Sequence, residues 1–137
     1  MKNSSLASRI IYLANKRACL RRIARLVLRY VFSCDVALPV KWGGGNVLEH
    51  NGLGVVVSRL AIIGNNCRIY QHVTIGAGKG GYPIIGNNVT IYANSVVVGN
   101  IRIGDNCIIG ANSFVNVDVP DNSVYAGAPA KFIRSIV

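Results

Sequence analysis

The chain has 137 residues, 51% of them hydrophobic, and fifteen Lys and Arg against five Asp and Glu leave a formal charge of +10. That length bounds it to one domain, and the apolar fraction excludes a disordered chain. Nowhere do about 18 apolar residues run without a charge, which argues against a membrane-spanning helix, and the four cysteines form no CxxC pair, as expected of reduced core thiols in a cytoplasmic protein.

The first thirty residues hold eight of the bases (Lys2, Arg9, Lys16, Arg17, Arg21, Arg22, Arg25 and Arg29), and no acid precedes Asp35. Arg29 interrupts Leu26 to Phe32, the only candidate for the apolar core of an export signal, so export is not expected. Residues 5 to 32 read as a helix with Leu20, Ile23, Ala24, Val27, Tyr30 and Val31 on one stripe and Ala18, Arg22, Arg25 and Arg29 on another face. Residues 1–34 are therefore expected to be a basic amphipathic N-terminal α-helix. Its two possible uses are contact with an anionic membrane through residues 1–30 and packing against the rest of the chain or a neighbouring subunit. The charge comes without an aromatic-basic surface motif, so no nucleic acid is expected as a partner.

Residues 35–137 form the second region. From Ile63 onward an aliphatic residue recurs about every six residues and is often followed by Gly: Ile63, Ile69, Ile75, Ile85, Ile91, Val97, Ile103, Ile109 and Val115. A second small or apolar residue follows four positions later at Cys67, Val73, Val89, Ser95, Ile101, Cys107, Ser113 and Val119. This hexapeptide period fits neither an amphipathic helix nor a simple alternating strand. It fits an all-β solenoid, a left-handed parallel β-helix with three short strands per coil and one inward aliphatic per face. The step from Ile75 to Ile85 is longer than the period, so residues 77–83 (Ala77-Gly78-Lys79-Gly80-Gly81-Tyr82-Pro83) are expected to leave the prism as an extended, mobile, glycine-rich loop bordering a site.

Acyl transfer to a hydroxyl needs a base, a partner to orient it and donors for a tetrahedral oxyanion. Two histidines are present, His50 and His72. His50 lies in Glu49-His50-Asn51-Gly52-Leu53-Gly54, and here the chain resembles the serine acetyltransferases of the hexapeptide family. The resemblance continues through Val73-Thr74-Ile75-Gly76-Ala77-Gly78-Lys79 and ends in Val124-Tyr125-Ala126-Gly127-Ala128-Pro129-Ala130-Lys131. It implies that His50 is the general base, that Asp35, fifteen residues earlier, orients it, and that Glu49 lines the acceptor pocket. It also implies a homotrimer with sites between subunits and acetyl-CoA as cosubstrate. Amides near Ala77 would serve the oxyanion, Gly78 would border the cofactor with it, Ala93 and Ala111 would contact the pantetheine arm, and Lys79, Lys131 or Arg134 would meet the phosphates.

Between Asp35 and His50, Pro39, Lys41 and the Gly43-Gly44-Gly45 run depart from the family's hexads. The serine enzymes also place Arg-His before the loop proline, where this chain has Gly81-Tyr82. The amino-acid clamp is thus missing, and a sugar or surface glycan held by Tyr82, Glu49 and His72 is the expected acceptor. Serine O-acetylation for cysteine biosynthesis and a non-catalytic trimeric membrane or assembly module are the alternatives. With two histidines per chain, no metal is expected.

Overall fold

A computed structural model describes residues 4–136; Lys2, counted in the basic segment, lies outside the described residues. The chain opens with two helices rather than the single one expected. α1 (Leu6–Lys16) and α2 (Arg21–Val31) are separated by a 3-10 turn at Ala18–Leu20, and Arg17 takes an extended backbone (φ −126°, ψ 102°). Arg21 reaches back across the break to the carbonyl oxygens of Ala14 and Asn15, each at 3.3 Å. An unbroken helix over this span would run about 40 Å and leave half its length with nothing to pack on. The break lets both pieces bury a face, Ala7, Ile11 and Ala14 from α1 and Ala24 and Leu28 from α2. Of the apolar stripe read from the sequence, only Ala24 is buried; Ile23, Tyr30 and Val31 are exposed.

The rest of the described chain winds as a solenoid. The first coil holds β1 (Asp35–Val36), β2 (Lys41–Trp42) and β3 (Val47–Leu48), and the second β4 (Val56–Val57), β5 (Ile62–Ile63) and β6 (Arg68–Ile69). The third holds β7 (Thr74–Gly76), β8 (Ile84–Ile85) and β9 (Thr90–Ile91), and the fourth β10 (Val96–Val98), β11 (Arg102–Ile103) and β12 (Ile108–Ile109). β13 (Phe114–Val115), β14 (Ser123–Ala126) and β15 (Lys131–Ser135) close the stack. Strands pair in parallel from coil to coil into three faces: face A is β1-β4-β7-β10-β13, face B is β2-β5-β8-β11, and face C is β3-β6-β9-β12-β14 with β15 antiparallel at its end. This is the expected β-helix.

All nine repeat aliphatics are buried, and so are the eight small or apolar residues four positions on. The period follows from a strand only two residues long, in which one side chain points in and its neighbour out. The repeat also reaches further back than Ile63, since Val36, Trp42 and Leu48 pair in register with Val57, Ile63 and Ile69.

The corner from face B to face C explains the glycine after the aliphatic. A Cβ on Gly64 would lie 2.3 Å from the Gly86 carbonyl oxygen, so the coils stack there only without side chains. The next position carries a side-chain ladder: Asn65 Oδ1 accepts from the Gly44 amide, Asn87 Oδ1 from that of Asn65, and Asp105 Oδ1 from that of Asn87 at 2.7 Å. The backbone and side-chain N–H groups of Asn87 hold the Asp105 carboxyl below its ordinary value. The third position takes positive φ, at Gly45, Asn66, Asn88 and Asn106, a conformation asparagine tolerates better than most residues. Gly43-Gly44-Gly45 therefore keeps the corner geometry of the coils below it, although its composition departs from theirs.

Candidate active site

Two corners are longer than the solenoid's spacing. Nine residues separate Leu48 from Val57, their face C and face A registers, where six separate Ile69 from Ile75. The three extra residues make a 3-10 turn at Glu49–Gly52, and His50 (φ 53°, ψ 33°) and Asn51 (φ 54°, ψ 28°) both adopt left-handed backbone there. That strain projects an exposed imidazole from the C–A edge of the prism. The second departure lies between Ile75 and Ile85 on the A–B edge. Gly78 and Gly81 exchange backbone hydrogen bonds of 3.0 and 3.3 Å, so the expected loop is a closed hairpin with Lys79 and Gly80 at its tip. Its base is close-packed: a Cβ on Gly78 would lie 2.7 Å from Gly99 Cα.

The His50 turn is held from three sides. Asn51 Oδ1 caps the N-terminus of α1, accepting from the amides of Leu6 at 3.1 Å and Ala7 at 3.5 Å. Ser8 Oγ, buried in α1, accepts from the Leu48 amide at 2.8 Å. Gly52 lies against Cys34, close enough that a Cβ would stand 2.9 Å from its sulfur. Burial, with the Asp35 charge adding, pushes the Cys34 thiol up to about 12, so this contact is with a neutral thiol.

Glu49 pairs with Arg68 of the coil below at 2.9 Å. Asp35 opens face A in the coil that carries the turn, and its carboxylate stands 3.9 Å from Arg29. Among the described residues no hydrogen bond joins Asp35 to His50. His72 occupies a C–A corner at φ 57°, where the next coils have Asn94 and Asn112 at φ 62° and 57°. It packs on Gly54, at which a Cβ would meet its Nδ1 at 2.1 Å.

Below it on the same edge come Ala93, half-buried, and Ala111, exposed, joined through the Asn112 amide to the Ala93 carbonyl at 2.9 Å. His50, His72, Ala93 and Ala111 thus share one edge. Ala77, Gly78, Lys79 and half-buried Tyr82 belong to the other edge of face A, and Lys131 is exposed at the start of β15.

Sequence reasoning missed Arg68, Asn51, Ser8 and Gln71. Gln71, beside His72, has the one buried side-chain oxygen, Oε1, without a hydrogen-bond partner among the described residues, and a buried acceptor left open calls for a donor. Arg68 was legible in principle, since a solenoid places residues about one coil apart side by side. The other three carry no local signal. Among the described residues no group of three metal-binding side chains assembles, and no helix is long and apolar enough to cross a membrane.

A family model described as bacterial transferase hexapeptide (six repeats) matches residues 82–116. Serine acetyltransferase 2 of Arabidopsis thaliana is 42% identical over 108 residues, covering 76% of this chain and 33% of that protein. Serine acetyltransferase of Staphylococcus aureus is 36% identical over 136 residues, covering 96% and 62%. Among solved structures, Brucella abortus serine acetyltransferase in complex with coenzyme A superposes with a TM-score of 0.84 at 30% identity, covering 96% of this chain and 54% of that one. The Neisseria gonorrhoeae enzyme in complex with serine gives 0.79 at 37%, covering 93% and 54%. The chain spans less than two thirds of the length of each. Its fold is a hexapeptide-repeat β-solenoid with N-terminal helices, and in sequence and structure it is similar, over most of its own length, to the serine acetyltransferases.

Proposed function

We propose that this chain is an acetyl-CoA-dependent O-acetyltransferase with His50 as general base. The observation that carries the reading is the three-residue excursion that sets His50 on an edge continued by small residues. Ala93 and Ala111 leave that edge open to an extended thioester arm, and the coenzyme A complex of the Brucella abortus relative supports that ligand class. His50 takes the proton of the acceptor hydroxyl as its oxygen attacks the thioester carbonyl. The Ala77 amide is a proposed donor to the resulting oxyanion, since that of Gly78 is taken up in closing the hairpin. Collapse breaks the carbon–sulfur bond, and the departing thiolate takes the proton from His50.

His50 and the Tyr82 hairpin lie on opposite edges of face A, so a complete site is best built between neighbouring chains of a homotrimer. Asp35 is proposed to orient His50 after exchanging Arg29 for the imidazole. Lys79, Lys131 and Arg134 are proposed to meet the phosphates of coenzyme A.

For the acceptor, the relatives support serine. One observation meets the objection that this chain lacks a carboxylate clamp: Arg68, held by Glu49 beside the His50 turn, is a cation available to an amino acid's carboxylate. A second reading, a sugar or surface-glycan hydroxyl, is favoured by Gly81-Tyr82 standing where the serine enzymes have Arg-His. Release of coenzyme A with L-serine and with a panel of sugars separates them. Arg68→Gln is expected to raise KM for serine several-fold and to leave KM for a neutral sugar unchanged. Turnover in His50→Ala equal to wild type with every acceptor would overturn the mechanism and favour a non-catalytic module.

A further inference from the structure

The helical hairpin carries a surface that none of this chemistry uses. At 3.6 residues per turn, Ile23, Leu26 and Tyr30 of α2 share one stripe, Arg22, Arg25 and Arg29 share the next, and the buried Ala24 and Leu28 face the protein. The apolar stripe is 63%, 58% and 77% exposed at its three residues. It runs into a cleft of about 200 Å³ between the helices, lined by Ile10, Leu13, Leu20, Ile23 and Val27 among others. Across the described part of the hairpin, seven bases meet no acid before Asp35, and only Arg29 makes an ion pair among the described residues. Arg25 donates to the Leu38 carbonyl and Arg21 to those of Ala14 and Asn15, which leaves Arg9, Lys16, Arg17 and Arg22 as the outward cations.

We infer that α2, with the adjoining face of α1, docks the protein on an anionic lipid surface. An exposed apolar ridge bordered by arginines is the pattern of a helix lying in a bilayer interface: the ridge enters the acyl boundary and the bases meet lipid phosphates. A second copy of the same face suits it less well, because a two-fold contact would bring one arginine stripe against another. Nucleic acid would answer the charge and leave the ridge in water. The docking is independent of the reaction proposed at His50.

Flotation of the full chain with vesicles of phosphatidylcholine alone and of phosphatidylcholine mixed with phosphatidylglycerol tests it. Binding is expected only with phosphatidylglycerol and is expected to weaken with salt. Arg17→Gln with Arg22→Gln should lower the partition coefficient about fivefold per base, and Ile23→Asn with Leu26→Asn about tenfold per side chain. All four positions point to solvent, and unchanged circular dichroism checks that the variants fold. Equal partitioning onto neutral vesicles, or none onto anionic ones, overturns the inference. So does an Ile23→Asn/Leu26→Asn variant that keeps vesicle binding and instead loses self-association in sedimentation, which would show a second copy covering the face.

Discussion

The first coil and the coils beneath it share an interior and differ at a corner. Val36, Trp42 and Leu48 stand in register above Val57, Ile63 and Ile69, which stand above Ile75, Ile85 and Ile91. The lower coils turn from face C to face A in minimal corners. The first coil inserts Glu49–Gly52 and accepts two non-glycine residues at positive φ. The inward residues of a solenoid are constrained by the coil on either side, while a corner is constrained only by closure, so chemistry is added at a corner without disturbing the stack. In this coil the inserted turn carries His50, the proposed base.

The largest expected effect breaks the comparison on the chemical side. His50→Ala should lower kcat/KM about 100- to 10,000-fold in a coenzyme A release assay and leave the melting temperature near wild type, because the imidazole is exposed and fills no interior space. Ile91→Ala is expected to do the reverse in a regular coil, costing about 2–5 kcal/mol in urea unfolding through the cavity it opens. A catalytic loss of similar size in a still-folded Ile91→Ala would show that the two regions are not separable.

Those two substitutions also mark what was legible beforehand. Ile91 and its eight counterparts announce themselves because a two-residue strand repeated three times per coil writes a six-residue period directly into the chain. His50 was legible by resemblance and by scarcity, being one of two histidines. The break at Arg17 was not, since no Gly or Pro stands between Lys16 and Arg21; it is imposed by the packing of Ile11 and Leu28 on the end of the solenoid. Nor was the cap that Asn51 gives α1, which spans 45 positions and has no local pattern. Arg68 could have been paired with Glu49 by counting one coil.

A smaller effect sharpens the comparison. Asn51→Ala removes the acceptor for the α1 amides and should cost about 1 kcal/mol, with a larger proportional fall in kcat than in stability because the turn loses its tether. Asn88→Ala in a regular coil, also at positive φ, should destabilise without changing kcat; a fall in kcat there would remove the distinction.

The smallest effects concern buried thiols, one in each region. Burial pushes Cys34 to about 12 and Cys67 to about 11. Only the exposed Cys19 should react quickly with iodoacetamide at neutral pH. Since both folded values lie above the unfolded value of 9.0, the stability they contribute is fully present below pH 9 and is lost as pH rises toward them. Asp105 works in the opposite sense: its carboxyl is lowered, so its contribution is present above the unfolded value of 3.8 and is lost as the solution is acidified below it. Melts across the alkaline and acid limbs check both signs, with Cys34→Ala flattening the alkaline limb.

The contact between Asn51 and the start of α1 bears on how long the site survives. In a stack where each layer leans only on the ones next to it, opening begins at the ends, and the layer bearing His50 is a terminal one. The hairpin is the lid on that end. Amide hydrogen exchange should therefore be slowest around Ile85–Ile109, and its rate at Leu48–Val56 should be governed by how often α1 lifts away. The lifetime of the geometry proposed for the reaction is then a property of a helix that contributes no group to it.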